Sequence, residues 1–310
     1  MSQTMAVETF GLTKRFKTAT AVNNIDLAVP QGAICGFLGK NGAGKTTTIK
    51  MLTGMKKPTS GEFAIMGKKE TFGKGIRAVG YLPDVPGFYG YMTGWEFLDL
   101  CARLCNMPEN ERKSHVDDLL KQVGLDGVKT KISGYSRGMR QRLGIAQALV
   151  NSPAVVFMDE PISALDPMGR RDIMEIISSL RGKTSVVLST HILSDVENIC
   201  DHIIIIEKGN VVEQGTLAEI KSRFTRQDSV KITFYNQDDC DKFGEQIRQA
   251  ASGGLNVTDD AMRIIIQSDN ITPAEISKLS AKILSNAAMP FKGLHTDAPT
   301  LDDIFYEVTK

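Results

Sequence analysis

A glycine-rich loop that ends in lysine and threonine carries the clearest chemistry in this chain. Residues Gly39 to Thr46 follow the pattern G-x-x-x-x-G-K-T. Gly42 and Gly44 can take backbone conformations that are closed to other residues, so that successive N–H groups point at one anion. Lys45 adds a positive charge for β- and γ-phosphates, and the Thr46 hydroxyl can ligate Mg²⁺. The loop therefore predicts a binding site for a nucleoside triphosphate.

The segments on either side of the loop agree with this interpretation. The apolar run Ala33–Leu38 is typical of a strand buried on both faces, and helical character continues from Lys45 to Gly54. The positive end of that helix would face the same anion. A chance glycine-rich turn is the alternative, and the preceding strand, the following helix and the complete spacing all count against it.

Two adjacent carboxylates follow a second apolar run. Asp159 and Glu160 come directly after Ala154–Met158, which we interpret as another buried strand. Open α/β sheets bind their ligands at the carboxyl ends of strands. Asp159 can hold Mg²⁺ at that position, and Glu160 can orient or deprotonate an attacking water. The alternative is an ordinary solvated Asp-Glu pair, which the phosphate loop disfavours.

A histidine ends the next predicted strand. His191 follows Thr184–Ser189, and a neutral imidazole at this point can bond a γ-phosphate oxygen and help to hold the attacking water. A lone histidine is often structural, so this alternative stays open on sequence grounds.

Composition limits the classes of partner. The 310 residues carry a formal net charge of +1, and no run of like charges is longer than two. This argues against a nucleic-acid partner and against a basic membrane-binding patch. No apolar stretch approaches the roughly 18 residues of a membrane-spanning helix, and the N-terminus lacks the layout of a signal peptide.

The order of predicted elements indicates an α/β protein with two domains. Repeated alternation of strands and helices predicts a sheet with helices on both faces, preceded by antiparallel strands at Val7–Phe10 and Ala21–Val29. A helical insertion, interrupted at Met107-Pro108, runs from Tyr91 to about Lys131, within a helical subdomain of about 88–150. We predict a nucleotide-binding domain over 1–225 and a small accessory α+β domain over 226–310, with the boundary near Arg226-Gln227.

Five motifs together resemble the ATP-binding subunits of ATP-binding cassette (ABC) transporters. Their order and spacing match that family, and the resemblance extends to about Gly215. The branch it resembles most is that of bacterial exporters of drugs, antibiotics or bacteriocins, and residues 301–309 resemble the end of such subunits. The five motifs are Gly39–Thr46, Tyr135–Arg142, Val155–Pro161, Ser163–Asp166 and Ser189–His191.

The resemblance implies roles for individual residues, with ATP and Mg²⁺ as ligands. Phe16 would stack on adenine, although its position alone fits a plug in the core equally well. Glu160 and His191 would be catalytic. Thr46, Asp84 and Asp159 would serve the metal. Further nucleotide contacts are implied for the loop residues Gly39, Asn41, Gly42, Ala43, Gly44, Lys45, Thr46 and Thr47, and for Tyr135, Ser136, Arg137, Gly138 and Asp166.

In the family the signature loop, here Tyr135 to Gly138, caps ATP bound by a second subunit. Ser136 and the N–H groups at the start of its helix agree with such a second anion site. One chain has one phosphate loop and one signature, so the expected working form is a head-to-tail dimer. Asp166 would lie at the seam, the contact between the two subunits. The second subunit would be a copy of this chain or a homologous ATPase.

Three positions depart from the family pattern. Lys40 stands where most relatives have proline, at a spacer position that should tolerate it. Arg137 replaces a glycine of the signature, while Ser136 and Gly138 are kept. Asp84 replaces a glutamine; a carboxylate can still approach Mg²⁺ or its water, but when ionised it accepts hydrogen bonds without donating them.

These observations predict the ATPase subunit of a bacterial exporter. The resemblance implies membrane-spanning permease subunits as partners, received by a groove formed by Tyr91–Lys131 and the loop around Asp84. It also implies a cytoplasmic chain, peripheral on the inner face of the cell membrane. The alternative is a soluble, non-transport ABC ATPase acting in assembly or regulation. A neighbouring reading frame with about six apolar 20-residue segments would favour transport.

Overall fold

The computed structural model of the chain describes residues 4–73, 76–224, 229–250, 254–268, 271–297 and 300–309. The chain divides into two compact units, Met1–Leu217 and Ala218–Lys310. The boundary predicted at Arg226-Gln227 lies outside the described residues.

The first unit contains two sheets and six helices among its described residues. The elements, in chain order, are β1 (Met5–Arg15), β2 (Thr20–Ile25), β3 (Ala28–Pro30), β4 (Ile34–Leu38), α1 (Lys45–Leu52), β5 (Ser60–Ile65), β6 (Lys68–Lys69), β7 (Val79–Leu82), α2 (Gly94–Leu104), α3 (Glu109–Gln122), α4 (Arg137–Leu149), β8 (Val155–Asp159), α5 (Pro167–Ser178), β9 (Ser185–Thr190), α6 (Leu193–Ile199), β10 (His202–Glu207) and β11 (Asn210–Thr216), with a short 3₁₀ turn at Ile132–Gly134.

A six-stranded sheet positions the chemistry. Its order is β11-β10-β4-β9-β8-β7, and every neighbouring pair is parallel except the hairpin of β10 and β11. Strands β4, β8 and β9 are buried at every residue, as expected for central parallel strands covered on both faces. Leu38 lies opposite Thr190, and Asp159 lies opposite Ser189. The carboxyl ends of the three strands therefore meet at one edge.

A second, antiparallel sheet has the order β2-β1-β5-β6, with β3 also paired to β1. Its inward side chains and α1 share one apolar cluster with the central sheet, which includes Val7, Phe37, Ile49 and Phe157. The helix that follows the phosphate loop is thus held between the two sheets by apolar burial rather than by its own short length.

Helices α2, α3 and α4 pack through another apolar cluster, which includes the fully buried Leu98, Val116 and Leu143. The predicted helical stretch from Tyr91 to Lys131 consists of two helices separated by Met107-Pro108, because proline cannot continue a helix. Thr93 begins α2 with a capping box that includes Glu96.

The second unit is a small α+β structure. A helix, α7 (Leu217–Phe224), spans the division between the units. The remaining elements are β12 (Ser229–Phe234), α8 (Gln237–Ala250), β13 (Asn256–Asp260), β14 (Arg263–Gln267), α9 (Pro273–Asn286), β15 (Phe291–Asp297) and α10 (Leu301–Val308).

The sheet of this unit is antiparallel, in the order β13-β14-β12-β15. The succession βαββαβ with this order is ferredoxin-like. The predicted fold class, an α/β core with a small α+β part, is confirmed. Among the described helices, none has the length and apolar character that a bilayer crossing requires.

Candidate active site

The glycine-rich loop connects the end of β4 to the start of α1. Gly42 and Gly44 have φ angles of +85° and +113°. A Cβ atom on Gly44 would lie 2.5 Å from the carbonyl oxygen of Ala21, so no larger residue fits there. A Cβ on Gly42 would meet no described atom within 4 Å, so this part of the loop borders open space. The loop is therefore tight on its inner side and accessible on its outer side.

The accessible side borders a cleft of about 500 Å³. Loop residues 40–42 and 44–47 form one wall. Tyr81 and Asp84, at the end of β7, and Asp159 and Glu160, at the end of β8, also line the cleft. The cleft thus lies where the ends of adjacent parallel strands place ligands in open α/β sheets.

Lys45 provides a nearly buried positive charge at the base of the cleft. Its Nζ donates to the carbonyl oxygen of Gly39 at 2.6 Å and lies 3.8 Å from Oε1 of Glu160. Burial lowers the pKa of Lys45, and the negative charges of Glu160 and Asp159 oppose that shift. An ammonium held in this way is suited to bind phosphate oxygens.

Asp159 is the centre of a small hydroxyl network. Its Oδ1 accepts hydrogen bonds from Thr46 Oγ1 at 3.1 Å and from Ser189 Oγ at 2.6 Å. Thr46 and Asp159 present the oxygen ligands that Mg²⁺ prefers, so the residues fit the metal. The described residues contain no group of three His, Cys, Asp or Glu side chains able to hold an ion. A Mg²⁺ ion here would take its other ligands from phosphate and water.

Glu160 lies between the lysine and the histidine. Its Oε2 is 3.0 Å from Nδ1 of His191, while its Oε1 faces Lys45. The Glu160 side chain is 16% exposed and that of His191 is 52% exposed. The structure therefore brings together both residues predicted to be catalytic, with the carboxylate sheltered and the imidazole open to solvent.

Asp84 lines the same cleft, and its Oδ1 accepts from Ser163 Oγ at 3.4 Å. Burial, with smaller contributions from Asp159 and Asp84, raises the pKa of Tyr81 to about 12. The phenol is therefore neutral at physiological pH. A metal-shell role for Asp84 stays a prediction.

Phe16 is not a plug in the core, because 45% of its surface is exposed. The Nζ atoms of Lys14 and Lys56 lie 5.5 and 5.0 Å from its ring centroid, within the range of cation–π contacts. Phe16 does not line the cleft of the phosphate loop. Its role toward adenine stays a prediction.

The residues of the predicted signature lie outside the cleft. Ser136 caps α4, as predicted, and its Oγ accepts from the N–H of Met139 at 3.2 Å. Ser136 and Arg137 are exposed, and a Cβ on Gly138 would meet no described atom within 4 Å. Asp166 is exposed too and caps α5 through the N–H of Gly169. The α4 N-terminus therefore faces open space rather than this chain's own cleft.

Comparison with known proteins identifies the family. Residues 22–163 match the family model described as ABC transporter. The ABC transporter ATP-binding protein YxlF of Bacillus subtilis, itself uncharacterized, is 40% identical over 68% of this chain and 71% of its own length. The chain belongs to the ABC transporter ATP-binding proteins. The predicted family is confirmed, and the cassette binds and hydrolyses ATP.

Two further relatives are informative. The bacitracin transport ATP-binding protein BcrA of Bacillus licheniformis is 40% identical over 70% of this chain and 72% of BcrA. The ATP-binding cassette MJ0796, in a dimeric post-hydrolysis state bound to ADP and Pi, has a TM-score of 0.61 and 26% identity. That match covers 68% of this chain and 98% of MJ0796.

Sequence reasoning did not assign roles to Ser189 and Tyr81. Ser189 bonds Asp159, and Tyr81 lines the cleft. A hydroxyl residue at the end of an otherwise apolar buried strand was the available signal for Ser189, because a buried hydroxyl needs a polar partner. Tyr81 gave a weaker signal, because an aromatic residue in a strand is usually part of the core.

An ion pair joins the helices that follow Asp166 and His191. On α5, the Arg170 guanidinium donates to Asp195 of α6 through Nε at 2.9 Å and Nη2 at 2.5 Å. Asp195 is 3% exposed, and the Arg170 side chain that pairs with it is 34% exposed. A buried carboxylate held by a bidentate arginine becomes costly when the arginine is removed.

The Arg170→Met variant should therefore lose about 2–4 kcal/mol of unfolding free energy. Urea unfolding, followed by the fluorescence of the single tryptophan Trp95, measures the unfolding free energy of the first unit. The control is Arg171→Met, because the Arg171 side chain is 82% exposed and pairs with the exposed Glu175. It should change stability little. Equal losses in both variants would contradict a special role of the buried pair.

Proposed function

We propose that this cassette is the ATPase subunit of a bacterial exporter and drives a separate membrane-spanning permease. The observation that carries the proposal is the 40% identity to the bacitracin transport protein BcrA. The second candidate is a non-transport ABC ATPase acting in assembly or regulation. The match covers 72% of BcrA, which is a named transport protein, and this favours the exporter over the non-transport candidate.

Hydrolysis requires the cleft to hold a triphosphate and to activate water. The loop N–H groups and Lys45 bind the phosphates. Thr46 and Asp159 would hold Mg²⁺, which would neutralise charge on the phosphate oxygens. Glu160 orients and deprotonates the attacking water, and His191 bonds the γ-phosphate while holding the Glu160 carboxylate in place. The arrangement of Glu160 between Lys45 and His191 supports these roles.

The proposed working unit is a pair of cassettes closed around two ATP molecules. Ser136 and Gly138 of one subunit cap the γ-phosphate in the other, and Asp166 lies at the seam. Three observations support this pairing: the signature lies outside its own cleft, the N-terminus of α4 is exposed, and MJ0796 has a dimeric structure. The second subunit is a copy of this chain or a homologous ATPase.

The proposed permease site is the groove formed by residues 91–131 and the loop around Asp84. Three large side chains in and beside this region are exposed: Val85 at 78%, Tyr89 at 53% and Tyr91 at 67%. The ring centroids of Tyr89 and Tyr91 lie 5.8 Å apart, and exposed apolar groups that lie near one another are typical of protein interfaces. The loop they belong to also lines the ATP cleft, which provides a route from hydrolysis to the permease. Binding there would hold the cassette at the inner face of the membrane.

Co-purification tests the transport assignment. The neighbouring reading frames are searched for a polytopic membrane protein; the tagged cassette is then expressed together with it, and the complex is extracted in detergent. We expect the membrane protein to be retained by the native cassette and lost with Val85→Asp. Val212→Asp, on β11 and 36% exposed, is the control and should retain it. If the native cassette retains no membrane protein and vesicles containing both show no ATP-dependent transport of bacitracin-type peptides, the non-transport alternative is favoured.

A further inference from the structure

One buried hydroxyl contacts the two adjacent acidic residues at the end of β8, Asp159 and Glu160. Ser189 lies in β9, opposite Asp159 in β8, and is 0% exposed. Its Oγ donates to Asp159 Oδ1 at 2.6 Å and accepts from the N–H of Glu160 at 3.1 Å. A hydroxyl has one proton to donate and lone pairs to accept, so it can make both bonds at once.

The backbone of Glu160 makes this second bond significant. Glu160 has a φ angle of +48°, in the left-handed region that side-chain-bearing residues seldom occupy. Its N–H is shared between Oγ and the carbonyl oxygen of Ser189, each at 3.1 Å. Such a conformation persists where surrounding contacts determine it. Ser189 provides two of those contacts, one through its hydroxyl and one through its carbonyl, and the carbonyl of Glu160 accepts a further bond from the N–H of Ser163 at 3.2 Å. In the turn that these bonds hold, the Glu160 carboxylate faces Lys45 and His191.

Thr46 also donates to Asp159 Oδ1, but its position differs. Thr46 lines the cleft, whereas Ser189 does not line it and has no exposed surface. A ligand in the cleft can therefore compete for the Thr46 hydroxyl but cannot reach that of Ser189. The bond from Ser189 is the one that would hold the Asp159 carboxylate with or without a ligand.

We propose that Ser189 is a positioning residue for hydrolysis: its hydroxyl fixes the Asp159 carboxylate and the Glu160 backbone in one relative arrangement. The proposal rests on the proposed roles of Asp159 and Glu160. A purely structural serine would satisfy its own hydrogen bonds without affecting the metal or the water. The two possibilities differ in what the loss of the hydroxyl changes.

The test compares two variants of β9, each of which loses one buried hydroxyl. Ser189→Ala should lower kcat about 10- to 100-fold, as other losses of groups that orient metal ligands do, while ATP affinity without Mg²⁺ stays unchanged. The matched control is Ser185→Ala, since Ser185 is 1% exposed and its Oγ accepts from the N–H of Gly32 at 2.9 Å, away from the cleft. It should keep kcat. Ser189→Thr, which restores a hydroxyl on a β-branched side chain suited to a strand, should recover most of the loss.

A second measurement does not depend on turnover. In a Glu160→Gln background, binding of fluorescent ATP is titrated with Mg²⁺, and Ser189→Ala should raise the midpoint Mg²⁺ concentration about tenfold. Ser185→Ala should leave the midpoint where it is. If the two alanine variants behave alike in both kcat and midpoint, Ser189 has only a structural role. If Ser189→Ala does not fold, Ser189→Cys, with its weaker donor, takes its place in both measurements.

The outcomes separate this inference from the proposed function. Native turnover by Glu160→Gln would overturn the assignment of the base, whatever Ser189 does. Loss of turnover by Glu160→Gln together with native behaviour of Ser189→Ala would overturn only the positioning role.

Discussion

ATP turnover by a Glu160→Gln variant should fall about 10²–10⁴-fold, while ATP binding stays intact. The amide has nearly the same size as the carboxylate, so the cleft should keep its shape. It cannot take a proton from water, which removes the proposed base. Glu160 also faces Lys45 at 3.8 Å and His191 at 3.0 Å, so the replacement frees both groups from a negative partner. Steady-state phosphate release and equilibrium binding of ATP measure the two effects separately.

The control for this variant is a carboxylate-to-amide change outside the cleft. Glu175→Gln, on the exposed side of α5, removes the same charge and should keep native turnover. If Glu160→Gln turned over ATP at the native rate, Glu160 would be excluded as the base. If it lost ATP binding instead, Glu160 would act in shaping the cleft around Lys45.

The core of the fold was accessible from sequence because its signals are local. The apolar runs before Gly39 and Asp159 predicted buried strands, and both are buried at every residue. Pro108 marked the break between α2 and α3. These features depend on periodicity and on residues that end helices, which a single sequence carries.

Two strands of the second unit were not predicted, namely β13 and β15. The segment Asn256–Asp260 is polar and largely exposed, and Phe291–Asp297 contains Gly293. Both lie at the edges of their sheet and pair with one neighbour only, β14 or β12. Edge strands commonly carry polar and charged residues, so their composition resembles that of loops. Their extended conformation comes from pairing, which is a tertiary effect.

The same distinction between local signals and tertiary effects applies to the residues of the candidate site. Motif spacing placed Lys45, Asp159, Glu160 and His191, since each follows a recognisable strand or loop. The contact of Ser189 with Asp159 depends on the register of β8 against β9, and a one-residue slip would remove it. Register between strands about 30 residues apart is set by packing, so that contact needed the structure.

A Ser136→Arg variant should not form the ATP-dependent dimer. Ser136 is exposed at the first turn of α4, where the helix N-terminus carries partial positive charge. In the proposed pair this point meets the γ-phosphate bound by the other subunit. Arginine would put bulk into that contact and would remove the Ser136 cap on the Met139 N–H. Size-exclusion chromatography in a Glu160→Gln background, with ATP and Mg²⁺, should give dimers for the single variant and monomers for the double variant.

Two further variants distinguish a block at the contact between the subunits from general effects of the substitution. Ser114→Arg places the same side chain on the exposed face of α3 and should leave dimerisation intact. Ser136→Ala removes the cap, at about 1 kcal/mol of helix stability, without adding bulk. If it still dimerises while Ser136→Arg does not, the block lies at the contact and not in an unfolded helix. A normal ATP-bound dimer of Ser136→Arg would show that the signature does not face the second nucleotide. The cleft, with Lys45, Asp159, Glu160 and His191 all from one chain, would then have to hydrolyse ATP without a partner.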